Sequence, residues 1–327
     1  MIKAAVVGCG NIAGFLDSPE DNRIVTHAHA YREHPQTELV ACCDPDPEQR
    51  ERFRALWGEN IRGFESVAEM LEHEAIEILS ICSPTLFHAE AVELALKHPS
   101  IRYVICEKPF TQTLAEFERL LPLLQKTQKR VFINFMRRYD PSIRSAARMI
   151  SGGELGTLRH FSGTFTKGLY HNGSHMLELV EHLCGPLVSI TALSCRSVDG
   201  DLYGSFYLET ALGRGTLNNE EGEPYALFEL DIVLSRGRIR IKGSGHRIEV
   251  EAVRPSKEYA GYFNLTPETV LEDTMAKNLY NTVEYTLNGD TAVLNTHLAL
   301  SRKLLEIREG LQQQKTIQWS DDVSSGN

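Results

Sequence analysis

The sequence predicts an α/β protein in two parts: a doubly wound parallel sheet at the N-terminus, then an α/β domain on an open, mainly antiparallel sheet. Apolar runs alternate with helical stretches through the first part. A glycine turn, Gly8-Cys9-Gly10-Asn11-Ile12-Ala13-Gly14, directly follows the first apolar run. After residue 150 the alternation stops, and from 188 to 252 strand-like runs succeed one another with no helix between them.

Residues 3–7, 39–43, 76–82, 101–106 and 130–135 are short runs, apolar on both faces, as in parallel strands covered by helices on each side. Residues 27–33, 47–56, 88–97 and 114–128 read as the intervening helices. Ser83-Pro84-Thr85 suits a helix start, because Pro punctuates and Thr can cap orphan amides. The alternation implies right-handed βαβ crossovers. Residues 1–120 are therefore expected to form the first domain, its sheet completed by about 130–136, and residues 137–327 the second. There, Ser151-Gly152-Gly153 ends a helix, and a short helix is expected over 174–183. Strands are expected over 188–193, 202–208, 226–233, 238–242 and 247–252. Gly237, in the turn Ser235-Arg236-Gly237, is expected to supply a positive φ. Helices over 271–287 and 291–313 close the chain, and the polar tail 320–327 is expected to be loose.

Composition excludes several classes. The chain has 327 residues, 42% hydrophobic and 24% charged, which disfavours disorder, collagen-like repeats and a disulfide-stapled miniprotein. Its 34 basic and 44 acidic residues give a formal charge of -10, against a general nucleic-acid binder. No apolar run approaches the ~20 residues that span a bilayer. The stretch from Met1 to Gly8 is too short and too soon broken by glycine for a signal peptide. Most of the seven cysteines sit in apolar runs and read as buried thiols, so a cytoplasmic location is expected.

The glycine turn has the GxGxxA form in the context that gives it meaning, a strand before it and a helix expected after it. Gly8 permits the tight turn, Gly10 lets the backbone approach a pyrophosphate, and Ala13 keeps the helix close to the strand. Asn11 and Ile12 open that helix, whose free N–H groups would face the anion. The expected fold is thus a dinucleotide-binding (Rossmann) domain. Asp44, ending the second strand, can accept from ribose hydroxyls and would repel a 2′-phosphate, which favours NAD over NADP. Asp46 is the better candidate for a solvated turn acid. Asp44 lies beyond the usual ~20 residues past the fingerprint. The excess falls in 17–23, an inserted loop that is either a lid or plain surface.

Three further stretches carry a family resemblance: Glu107-Lys108-Pro109-Phe110, Cys82-Ser83-Pro84-Thr85-Leu86-Phe87-His88, and Arg137-Arg138-Tyr139-Asp140-Pro141. With the glycine turn they resemble the glucose–fructose oxidoreductase/inositol dehydrogenase/MocA family, closely over 1–185 and in architecture beyond. The resemblance implies a cis or strained Lys–Pro turn and a catalytic role for Lys108. Independently of it, a lysine outside the carboxyl end of a parallel strand can stabilise developing alkoxide charge during hydride transfer. Glu107 would neutralise or orient it, or the two form an ordinary surface pair. Glu107, Ser83, Pro84, Thr85 and His88 are candidates for the cofactor's surroundings, with helix packing the alternative for His88.

The family's second catalytic element is an Asp, three spacers, a His, and a carboxylate three residues on. His175 falls on the histidine and Glu178 on the acid, while His171 stands where the family has Asp. A neutral imidazole at His175 suits proton transfer near pH 7, its tautomer then fixed by Glu178, Lys108 or His171. His171, His175, Glu178 and His182 could instead line one helical face as metal ligands. Against that, Asn172-Gly173 makes a poor helix interior and Ser174 reads as an N-cap, so no metal is expected. A structural role for the histidines is the third reading. His27 and His29 are expected to face helix surface and core by turns. Arg137 and Arg138 could meet an anionic substrate group or form ion pairs. Tyr139 either lines the substrate cleft or packs at the domain junction.

These readings converge on an NAD(P)-dependent oxidoreductase acting between a secondary alcohol and its ketone. The resemblance implies a sugar, cyclitol or sugar-nucleotide substrate and a homodimer or homotetramer through the open sheet face. Hydrolysis or elimination through transient oxidation, and a non-catalytic NAD-binding sensor, are the alternatives.

Overall fold

A computed structural model describes residues 1–221, 225–311 and 315–319. Two compact units emerge, one formed by 1–139 with 276–305, the other by the described residues of 140–275 and those from 306 on.

The first unit carries six parallel strands: β1 (Ile2–Val7), β2 (Thr37–Cys43), β3 (Arg62–Phe64), β4 (Ile78–Ile81), β5 (Tyr103–Cys106) and β6 (Arg130–Ile133). Their order is β3-β2-β1-β4-β5-β6, so the winding reverses between β1 and β4. Ligands bind outside the carboxyl ends of strands at such a switch point. The helices are α1 (His27–Glu33), α2 (Pro47–Trp57), α3 (Val67–His73), α4 (His88–Lys97) and α5 (Leu114–Lys126). Thr26, Asp46, Ser66 and Thr113 cap α1, α2, α3 and α5 through their side chains. Each such cap is worth about 1 kcal/mol. Thr85 does not cap α4; a 3₁₀ turn, Thr85–Phe87, leads into it with no side-chain cap.

The first crossover departs from expectation. The glycine turn runs into a single π-helical turn, Asn11–Phe15, and no α-helix begins before His27. Position 14 is glycine because a Cβ on it would lie 2.6 Å from the Phe53 ring and 2.4 Å from Trp57 Nε1. Trp57 Nε1 also donates to the Gly14 carbonyl at 2.9 Å, which ties α2 to this turn. The inserted loop is pinned by buried Asp17, which accepts from the Val25 N–H at 2.6 Å and lies 3.0 Å from His29 Nδ1. Both His27 and His29 are buried, so neither faces the helix surface.

Among the described residues, the second unit holds α6 (Pro141–Ser151) and α7 (Gly173–Cys184) with a nine-stranded sheet. Its strands are β7 (Leu158–Thr166), β8 (Leu187–Val198), β9 (Asp201–Thr210), β10 (Gly213–Glu220), β11 (Phe228–Leu234), β12 (Gly237–Lys242), β13 (Arg247–Pro255), β14 (Phe263–Leu271) and β15 (Thr316–Gln318). The order is β14-β13-β12-β11-β7-β10-β9-β8-β15, and β7 runs parallel to β10 while the other pairs are antiparallel. Gly237 does not adopt a positive φ. It is glycine because a Cβ there would lie 2.6 Å from the Glu251 carbonyl oxygen and 2.7 Å from Leu155.

The expected boundary at 137 gave the closing helices to the second domain. Instead α8 (Asn278–Asn288) and α9 (Val293–Gly310) carry 276–305 into the first unit. Leu279, Val283 and Leu287 of α8 complete a core with Ala28 and Tyr31 of α1. Leu271, expected in that helix, ends β14 instead. The expected loose tail lies outside the described residues. Among the described residues no helix is long and apolar enough to cross a membrane. The seven cysteines are all free, six of them buried and Cys195 exposed.

Candidate active site

The two glycines after β1 have different duties. Gly8 sits at φ +87°, and a Cβ on it would lie 2.6 Å from the Ser83 backbone. Around Gly10 a Cβ would meet nothing within 4 Å. The chain thus leaves open the space that close approach to a phosphate requires. Asn11 is exposed, Ile12 half-buried, and Ala13 is buried in the core. Asp44 Oδ2 accepts from the Cys9 N–H at 2.8 Å and Oδ1 from the Asp46 N–H at 3.0 Å. A carboxylate offers about four acceptor positions, so Asp44 can hold the glycine turn and still take a ribose hydroxyl. Asp46 is occupied as the cap of α2.

A cavity of about 410 Å³ opens here, lined by Gly8, Asp44, Ser66, Ser83, Pro84 and Leu94 among others. Ser83 Oγ is buried with no hydrogen-bond partner among the described residues. A partly apolar cleft, a carboxylate, an open glycine and an unsatisfied hydroxyl fit a dinucleotide. The sequence reading missed Ser66 and α3, although Ser66-Val67-Ala68-Glu69 has capping-box spacing.

Lys108 follows β5, and the Lys108–Pro109 peptide is cis. The sequence places Glu107 at the cofactor; the structure commits its Oε1 to the interior. That oxygen accepts from Asn134 Nδ2 at 2.6 Å and lies 3.0 Å from His27 Nε2. Burial raises the Glu107 pKa, but the His27 and Asn134 hydrogen bonds and the Lys108 charge outweigh it, leaving the carboxyl below the ordinary glutamate value. His88 is likewise turned inward, Nδ1 lying 2.9 Å from the Pro109 carbonyl and Nε2 2.8 Å from that of Ser83. It ties the two site loops together, which is the packing alternative rather than a cofactor contact.

Arg138 lies after β6 in the 3₁₀ turn Met136–Tyr139. Tyr139 is core and not cleft: it is 2% exposed, its hydroxyl donates to the Ile133 carbonyl at 2.6 Å, and its ring meets Phe132 and Tyr285. Arg137 is also buried.

In the second unit, His175 and Glu178 are buried on α7 while His171 is exposed on a π-helical turn, Gly168–Asn172. Ser174 is not an N-cap; α7 begins at Gly173, and Ser174 Oγ donates to the His171 carbonyl at 2.8 Å. The π-turn is shaped by Asp201, which accepts from the Tyr170 N–H at 2.8 Å and the His171 N–H at 3.2 Å. Sequence reasoning missed Asp201, which lies 30 residues from His171. Among the described residues no group of three or more metal-ligating side chains is arranged to hold an ion.

A doubly wound sheet in the β3-β2-β1-β4-β5-β6 order, with a glycine turn and an acid ending β2, defines the N-terminal unit as a dinucleotide-binding Rossmann domain. Residues 2–135 match the GFO_IDH_MocA family, described as an oxidoreductase family with an NAD-binding Rossmann fold. The chain is 28% identical over 166 residues to a dTDP-3,4-didehydro-2,6-dideoxy-alpha-D-glucose 3-reductase of Actinomadura kijaniata, covering 50% of this chain and 46% of that protein. It is 28% identical over 211 residues to a D-apiose dehydrogenase of Paraburkholderia graminis, covering 59% and 52%. It spans about half the length of these curated relatives. The fold matches an NAD-binding oxidoreductase structure from Klebsiella pneumoniae with a TM-score of 0.77 at 15% identity, covering 98% of this chain and 100% of that one.

Proposed function

We propose that the protein is an NAD-dependent oxidoreductase that moves hydride between nicotinamide and a secondary alcohol or ketone of a sugar, cyclitol or sugar nucleotide. The observation that carries this reading is Lys108 at the carboxyl end of β5, in the same unit as the open Gly10 turn and the Asp44 cleft. Gly8, Gly10, Asn11 and Ile12 would hold the pyrophosphate, Ser83, Pro84 and Thr85 would flank it, and Asp44 would take the adenosine ribose. The dinucleotide, when bound, supplies or accepts the hydride. Lys108 would hydrogen-bond the reacting oxygen and stabilise its negative charge. His175 would carry the proton, His171 would stand beside the substrate in place of an Asp, and Arg138 would meet an anionic group on it.

The preference for NAD rests on Asp44, which opposes a 2′-phosphate by charge. Arg50 donates to the Asp44 carbonyl at 2.6 Å, so a cation also stands at this turn. The residues between 140 and 275 would supply substrate recognition, and the open sheet face would join copies into a homodimer or homotetramer. The free thiols suit a reducing compartment such as the cytoplasm.

The test follows absorbance of the reduced cofactor with NAD⁺ and NADP⁺ over myo-inositol, D-apiose, and dTDP- and UDP-sugars, and the reverse with the ketones. Turnover with NAD(H) and a carbohydrate supports the reading. Tight NAD⁺ binding without turnover across the panel would favour a sensor instead.

A further inference from the structure

The cleft beside Asp44 holds a charge that neither the ribose nor the phosphates of a dinucleotide account for. Phe87 stands just before α4, and with Glu90, Ala91 and Leu94 it falls at i, i+3, i+4 and i+7. Residues so spaced share one stripe of a helix. All four line the cavity of about 410 Å³, and Val67 and Ala68 at the start of α3 add apolar lining from a second element. Phe87, Ala91 and Leu94 are apolar, and Glu90 is the charged member of the stripe.

Glu90 is exposed, and its carboxylate has no hydrogen bond or ion pair among the described residues. Glu93, one turn on, differs: it is paired with both Lys97 and Arg119. Phe87 is 52% exposed in spite of its size. An aromatic ring left open at an apolar cleft is a platform on which a base can stack.

With the ribose held at Asp44, the base joined to it enters the same cleft. Apolar walls hold a flat base by its faces and leave its edge to be read by a polar group. An ionised carboxylate can only accept hydrogen bonds. Adenine carries an amino group, a donor, at its position 6. Hypoxanthine carries an oxygen there, an acceptor, which a carboxylate opposes.

We propose that Glu90 is a specificity-determining residue for the base: its carboxylate accepts from the 6-amino group of adenine and disfavours a 6-oxo purine. Such selection rests on the dinucleotide reading of the cleft, and the chemistry assigned to Lys108 plays no part in it.

An acid in the first turn of a helix also stabilises that helix through its dipole. Lower stability in a variant would therefore say nothing of the base, whereas a ratio of two affinities does. The test is calorimetry on the full-length protein with NAD⁺ and with nicotinamide hypoxanthine dinucleotide, which exchanges the 6-amino group for oxygen. A hydrogen bond to a charged group, partly open to water, is worth about tenfold in affinity, so the wild type should favour NAD⁺ by about that factor. In Glu90→Gln the amide donates as well as accepts, and the two affinities should come within about twofold of each other. Glu65→Gln removes the same charge from the lining of the same cavity and should keep the wild-type ratio. Equal affinities in the wild type would overturn the proposal and leave the dinucleotide reading intact. An unaltered ratio in Glu90→Gln would overturn it too, as would an equal fall in Glu65→Gln, which would mark a general effect of charge. Binding of neither dinucleotide by the wild type would remove the dinucleotide reading itself, and base selection with it.

Discussion

From the glycine turn to Lys108, the first unit sets its site residues on or just past the carboxyl ends of adjacent parallel strands. In the second unit, His171 and His175 stand on a π-turn and a buried helix. The two arrangements are specified differently. A parallel strand fixes where the chain leaves the sheet, so Asp44, Ser83 and Lys108, one or two residues past the ends of β2, β4 and β5, follow from those strands alone. The position of His171 depends on Asp201, and α7 lies against β7, where a Cβ on Gly163 would come within 3.2 Å of Met176 Sδ. Local pattern can predict the first kind of site but only its residue types in the second.

Substitutions can separate the two regions. The largest effect is expected within the glycine turn. Gly10→Val should abolish NAD⁺ binding with the melting temperature unchanged, since the added side chain meets open space in the protein itself. Gly8→Ala should lose both, because it combines a left-handed φ with a backbone clash. Calorimetry beside thermal unfolding reads the pair; normal NAD⁺ binding by Gly10→Val would remove the pyrophosphate from this turn.

In the second unit, His175→Ala should lower kcat by ~10²–10⁴-fold, the usual contribution of a general acid or base. His171→Ala should cost much less, and His171→Asp should retain or raise activity. Equal, mild losses from both alanines would leave these histidines a structural role only.

Asp44→Ala should narrow the gap between NAD(H) and NADP(H) affinities, and wild type should favour NAD(H). A clear NADP(H) preference in the wild-type protein would contradict the role given to Asp44.

The smallest effect concerns acid stability. Glu107 is held below its ordinary pKa of 4.5, so the stability it contributes is present above that value and lost as pH falls through the folded-state pKa. Glu107→Gln should therefore flatten the dependence of the melting temperature on pH below about 4.5, the region of that linkage. An unaltered slope would show that Glu107 ionises alike in folded and unfolded chains.

The parallel sheet was legible because β1, β2, β4, β5 and β6 are continuous apolar runs. The three-residue β3 is too short for a pattern, and α3 after it was missed with it. In the second unit the central pair was hidden: β7 reads LRHFSGTFT and β10 GRGTLNNE, whose glycines and polar residues look like loop. β14 was missed because eight of its nine residues are exposed, so no face is marked as apolar. The sequence leaves Tyr139 between the substrate cleft and the domain junction, because only the fold shows that α8 brings Tyr285 against its ring. Similarly, no spacing rule links His27 to Glu107 across 80 residues; α1 and the end of β5 meet only in the folded unit.

The central claim, that Lys108 acts on the reacting oxygen, is tested most directly by Lys108→Met with the carbohydrate that turns over best in the panel. Transition-state charge stabilisation by one donor is typically worth ~10²–10³-fold in kcat. The account predicts a loss of that size with NAD⁺ affinity within a few-fold of wild type. Wild-type kcat in a variant whose only change is lower thermal stability would contradict it.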